Sequence, residues 1–145
     1  MISDMDDQER RLRVRAAGLR CTAARMAVLR RLEEADAPMT HGEVVESLQG
    51  LGFDQSTVYR NLIDLADAGL VRRKELGDHV WRFESPRAGE ETSDEHAHFL
   101  CVDCGHVRCL PEVRLDSTSR LAAARVGDVT EVLVKGRCVA CSPKR

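Results

Sequence analysis

Asp54-Gln55-Ser56-Thr57-Val58-Tyr59-Arg60-Asn61-Leu62-Ile63-Asp64-Leu65-Ala66-Asp67-Ala68-Gly69 carries the most structural information in the chain. Asp54 is a residue type that caps a helix start, and Gly69 is the type that ends one in a left-handed turn, so the stretch predicts a helix over 55–68. Val58, Leu62, Leu65 and Ala66 fall at the i, i+4, i+7, i+8 spacing of a core stripe. Ser56, Thr57 and Arg60 lie on the opposite side near the start, with Tyr59 at the margin. Just upstream, Thr40-His41-Gly42-Glu43 has the form of a capping box opening a helix that buries Val44, Val45 and Leu48 and stops at Gly50-Leu51-Gly52. Two helices joined by a glycine-containing turn, the second with polar side chains at its exposed start, suggest a helix-turn-helix. The competing reading is an ordinary helical hairpin.

The flanks separate these readings. Downstream, Leu70–Glu75 and His79–Glu84 alternate around Gly77-Asp78 like a β-hairpin, which turns a helix-turn-helix into a winged helix. Upstream, a helix over about 7–17 ends at Gly18, and Thr22 is placed to cap another through about Leu32, with Met26, Leu29 and Leu32 on one face. The net charge of −2 speaks against a uniformly basic nucleic-acid binder, but the charges are unevenly placed. Eight arginines and one acid, Glu9, lie between Gln8 and Arg31, and Arg72-Arg73-Lys74 forms a second basic knot. The acids gather in Glu90-Glu91-Thr92-Ser93-Asp94-Glu95. An arginine-rich helix is often only a solvated face; beside a winged helix it points to DNA.

With 145 residues, 43% hydrophobic and 32% charged, the chain has the composition of one globular domain or two small ones, not of a disordered or fibrous protein. No apolar run approaches the roughly 18 residues of a membrane span, and no apolar segment follows the acidic start, so a cytoplasmic protein is expected. Composition divides the chain near Glu84: residues 1–84 hold one cysteine, Cys21, and residues 96–145 hold the other five. A polar stretch with one proline and one glycine, 85–95, reads as a hinge.

In a reducing compartment those cysteines are expected as thiols or metal ligands. Cys101-Val102-Asp103-Cys104 and Cys138-Val139-Ala140-Cys141 are two C-x-x-C pairs separated by 33 residues. Four thiolates from two such knuckles form a closed tetrahedral shell of the kind structural zinc takes. The interval leaves room for a helix, about 112–125, and a strand, about 129–135. A thioredoxin-like role is disfavoured because no βαβ pattern surrounds either pair. His96-Ala97-His98 precedes the first knuckle; on a strand, residues i and i+2 face one way, so both imidazoles could reach one further ion. A surface-exposed pair is the alternative for these histidines, and a small buried apolar residue is the alternative for Cys109.

These residues, in this order, resemble the ferric uptake regulator (Fur) family: Gly18-Leu19-Arg20-Cys21-Thr22-Ala23-Ala24-Arg25, Ser56-Thr57-Val58-Tyr59-Arg60-Asn61-Leu62, Ala68-Gly69-Leu70-Val71, His96 to Gly105, and Gly136 to Cys141. The resemblance implies a homodimeric, metal-responsive transcriptional repressor with an α+β fold: a winged-helix DNA-binding domain (1–84), a hinge (85–95) and an α/β dimerisation and metal-binding domain (96–145). It implies structural zinc at Cys101, Cys104, Cys138 and Cys141. It also implies a regulatory divalent cation at His41, Glu84, His96 and His98, with Cys109 where some members have a carboxylate. Arg15, Arg20, Arg25 and Lys74 are expected at phosphates, and Ser56, Thr57, Tyr59 and Arg60 in the major groove. Ala23 stands where a proline is usual, and Ala97 and Thr130 occupy positions where a third site would need ligands. Thiolate plus imidazole favours zinc over iron or manganese at the regulatory site. Iron, manganese or peroxide response are the alternatives within the family. A zinc-ribbon protein-interaction module and a metalloenzyme are rivals from other classes, the latter without a convincing general base. No membrane and no small-molecule substrate are expected.

Overall fold

The computed structural model describes residues 2–86 and 97–143. It divides into two compact units, Met1–Ala88 and Gly89–Arg145. The expected hinge beyond residue 86, its acidic run and His96 lie outside the described residues.

The first unit is built from α1 (Ile2–Ala16), α2 (Ala23–Glu34), β1 (Met39–Thr40), α3 (His41–Ser47), a single 3-10 turn (Gln49–Leu51), α4 (Gln55–Asp67), β2 (Arg72–Glu75) and β3 (Trp81–Glu84). The starts of α2, α3 and α4 are each closed by the expected side chain. Thr22 accepts from the Arg25 amide, Thr40 and Glu43 complete a reciprocal box, and Asp54 accepts from the Thr57 amide at 2.7 Å. Gly69, at φ +77°, ends α4 in the left-handed region. Val58, Leu62 and Leu65 of α4 join Val28, Leu29 and Leu32 of α2, Val44 of α3 and Phe83 of β3 in one core. Asn61 is also buried on α4, its amide donating to the Thr57 carbonyl. The sheet order is β1-β3-β2, so Met39-Thr40 adds a third strand that the sequence reading did not contain.

In the second unit, β4 (Ala97–Cys101), β5 (Val107–Leu110) and β6 (Leu133–Gly136) form a sheet of order β5-β4-β6, with α5 (Ser117–Ala124) between β5 and β6 along the chain. α5 begins later than its expected start near 112 because Asp116 accepts from the Ser119 amide and caps it. The strand expected from 129 likewise starts at 133. β4 pairs antiparallel with β5 and parallel with β6. Among the described residues of this unit the buried apolar set is small, and α5 has no buried residue. Leu121, Val126 and Val129 are all exposed, Val126 to 94%.

Candidate metal centre and nucleic-acid interface

The sheet of the second unit explains why two distant C-x-x-C pairs meet. β4 and β6 run parallel with Cys101 opposite Gly136, so each knuckle leaves the same end of a neighbouring strand. The first turns back through Gly105, at φ +73°, whose amide donates to the Cys101 carbonyl; in the second, the Cys141 and Ser142 amides donate to the Cys138 carbonyl. Close approach needs a glycine at 136: a Cβ there would lie 3.1 Å from the Phe99 ring. Asp103 and Arg137 form an ion pair between the two turns at 3.1 Å.

The ligand atoms of Cys101, Cys104, Cys138 and Cys141 all lie within 4.8 Å of one another, with 3.8 Å between the Sγ atoms of Cys104 and Cys138. A tetrahedron of four sulfurs about 2.3 Å from zinc has edges of about 3.8 Å, so the donors fit that ion in both type and spacing. Backbone amides of Cys104 and Cys138 lower the Cys101 thiol to about 6, while contact with Cys138 and then Cys104 pushes Cys141 up to about 12. Four sulfurs this close share their protons unevenly, and a dication removes that conflict by taking four thiolates together. Among the described residues this is the one group of three or more His, Cys, Asp or Glu side chains close enough to hold an ion.

The other expected ligands are distributed between the two units. His98, on β4, is 2% exposed and stands directly opposite Cys109 on β5, so imidazole and thiol project from the same face of the sheet. In the first unit, His41 opens α3, with Nε2 2.9 Å from the Gln55 carbonyl oxygen and its ring edge-on to Tyr59 at 5.3 Å. Glu84 ends β3 at the start of β1, and His41 follows the end of β1, so the pair flank that short strand. Glu84 Oε1 lies 3.1 Å from Lys74 Nζ.

On α4, Ser56, Tyr59 and Arg60 are exposed and Thr57 half-buried, on the side away from the core. Arg15, in the last turn of α1, and Arg20 are exposed. Arg25 is placed differently: its side chain is 12% exposed, donating to Asp64 of α4 at 2.6 Å and to the Arg20 carbonyl at 3.0 Å. Other arginines of the basic stretch are also engaged within the fold. Arg10 and Arg13 pair with Glu33, Arg11 with Asp7, and Arg30 with Glu34.

A family model described as the ferric uptake regulator family matches residues 16–131. The chain belongs to the ferric uptake regulator family. As a Fur-family member it is a metal-responsive transcription regulator. It is 29% identical over 136 residues to the peroxide operon regulator of Bacillus subtilis, covering 90% of each chain. The Vibrio cholerae ferric uptake regulator structure is similar over 89% of this chain and 99% of that one, with a TM-score of 0.67 and 27% identity. A zinc-bound manganese uptake regulator shares the fold, with a TM-score of 0.69 over 88% of this chain and 96% of that one, at 22% identity.

No helix among the described residues is long and apolar enough to cross a membrane. Sequence reasoning missed three features of these sites: the Arg25–Asp64 ion pair, the Lys74–Glu84 contact and the His41–Gln55 hydrogen bond. The second and third each join an expected metal ligand to another part of the winged helix.

Proposed function

We propose that this chain is a cytoplasmic, homodimeric repressor whose operator binding is gated by a divalent cation, with zinc the favoured signal. In this reading Cys101, Cys104, Cys138 and Cys141 hold a structural zinc ion, which supplies cross-linking and no chemistry. His41, Glu84, His96, His98 and Cys109 hold the regulatory cation, which supplies Lewis-acid coordination that draws ligands from both halves of the chain. The observation that carries metal gating is the His98–Cys109 cross-strand pair, two ligand-type side chains facing one another apart from the four grouped cysteines. Imidazole and thiolate together suit zinc better than harder ions.

DNA recognition follows from the first unit. Ser56, Thr57, Tyr59 and Arg60 stand at the open start of α4, where a recognition helix reads base edges, while Arg15 and Arg20 are free to meet phosphates. Ligation by residues of both halves restrains the joint between them, which favours one spacing of the two recognition helices in a dimer. By linkage, DNA then tightens cation binding as much as the cation tightens DNA binding. The exposed Leu121, Val126 and Val129 support pairing of the second unit with another copy, since apolar side chains in such number are normally covered.

The test is operator binding by chelated protein, on duplexes selected by the metal-loaded protein, titrated with zinc, iron(II), manganese and nickel at buffered free concentrations. Zinc is expected to promote binding at the lowest free concentration. The peroxide regulators among the relatives favour one second reading, response to an oxidant through an iron-loaded site; preferential activation by iron(II), reversed by peroxide, would replace the zinc assignment. A protein-interaction module would show no salt-dependent DNA affinity at all.

A further inference from the structure

The β2–β3 ribbon carries an unusual mixture of charge beside one proposed ligand. Its register sets Arg72 opposite Glu84 and Lys74 opposite Arg82, so these four side chains share one face. Arg82 is held by Asp78, with contacts of 3.0 and 2.7 Å. Lys74 Nζ lies 3.1 Å from Glu84 Oε1, the two side chains being 19% and 15% exposed. That oxygen is buried yet accepts no hydrogen bond among the described residues, so the ammonium meets it as a charge without an aligned bond.

We infer that Lys74 is a built-in competitor for the regulatory cation and sets how much free metal is needed to load the site. The inference rests on the proposed assignment of Glu84 as a ligand. An oxygen already bonded to several donors would resist recruitment by a metal. One met by a nearby ammonium offers its lone pairs once that ammonium is displaced. Displacement costs the Lys74–Glu84 attraction, and the retained positive charge then stands close to a dication in a poorly solvated place. Both effects weaken cation binding, and neither requires Lys74 to touch the ion. The position on the ribbon could hold an uncharged residue without altering the backbone pairing, so the affinity is adjustable at this one side chain.

The test uses full-length protein with the four-cysteine site filled, and measures the next zinc equivalent by competition with a chromophoric chelator. Lys74→Met is expected to bind that equivalent about fivefold more tightly, the scale of a part-buried ion pair. Lys74→Arg, which keeps the cation, should remain near the parent. In a Glu84→Gln background the gain from Lys74→Met should shrink. A merely structural role for Lys74 predicts loss of affinity in Lys74→Met, not gain. If Glu84→Gln weakens the second equivalent while Lys74→Met leaves it unchanged or weaker, the competitor role is overturned and the ligand assignment stands. If Glu84→Gln has no effect on the second equivalent, the ligand assignment itself fails and the inference falls with it.

Discussion

Replacing Arg25 by methionine separates two roles that one residue type can play in a DNA-binding unit. The guanidinium is largely buried between α2 and α4, donating to Asp64 at 2.6 Å and to the Arg20 carbonyl at 3.0 Å. Methionine keeps most of the stem's packing and deletes both bonds. Charge-assisted hydrogen bonds in part-buried positions contribute about 1.5–3 kcal/mol, and Asp64, 39% exposed, recovers some hydration when left alone. The expected loss is therefore about 2 kcal/mol, a shift of roughly 1 M in the urea midpoint of the first unit. Asp64→Asn should lose a similar amount, and the double variant should lose less than the sum. DNA affinity should fall in both single variants, because the pair fixes α4 against α2. If Arg25 instead contacted phosphate, Arg25→Met would keep its stability and lower the salt slope by about one, while Asp64→Asn would bind DNA more tightly. That pattern would refute the brace.

Other consequences follow from the same geometry. Cys138→Ser should release the ion of the four-cysteine site and lower thermal stability of the second unit, read by metal content and calorimetry; unchanged zinc retention would remove that role from the cluster. Gly136→Ala would press a methyl group onto the Phe99 ring at 3.1–3.2 Å, so a loss of about 1 kcal/mol and weaker zinc retention are expected by denaturation and chelator challenge. Asp78 sits below its ordinary value of 3.8, chiefly through the Arg82 side chain. The unfolded carboxyl therefore takes up its proton first as pH falls. The contribution is present above the ordinary value and is lost as pH drops through the lower, folded one. Fluorescence of Trp81, the single tryptophan, stacked under Arg73 on the same ribbon, should report that acid step, and Asp78→Asn should abolish it.

Local chemistry made much of the fold legible. Thr22, Thr40 with Glu43, Asp54 and Gly69 each act within four residues of themselves, so the boundaries they set could be read from the chain alone. The four-cysteine cluster was legible for a related reason, because C-x-x-C spacing already brings two donors into one turn. Features that depend on distant partners were not. β1 is two residues long and exists through its pairing with β3 some 43 positions away, as Met39↔Phe83 and Thr40↔Arg82 show by register. The arginine-rich start reads as a solvated face or, beside a winged helix, as a DNA contact, yet Arg10, Arg13 and Arg25 find acids on other helices. No periodicity encodes those pairs. Lys74 similarly suggested a phosphate contact until the ribbon register placed it beside Glu84. The His98–Cys109 opposition needed the length of the β4–β5 turn, which Gly105 sets by its left-handed conformation.

The most direct test of metal gating compares the parent with His98→Ala in a buffered zinc titration of operator binding, with the zinc content of the four-cysteine site measured in the same samples. The account predicts that parent affinity for DNA climbs as free zinc rises, whereas His98→Ala keeps its cysteine-bound ion and dimeric state but no longer responds. A His98→Ala protein that gained DNA affinity over the same zinc range as the parent would contradict it.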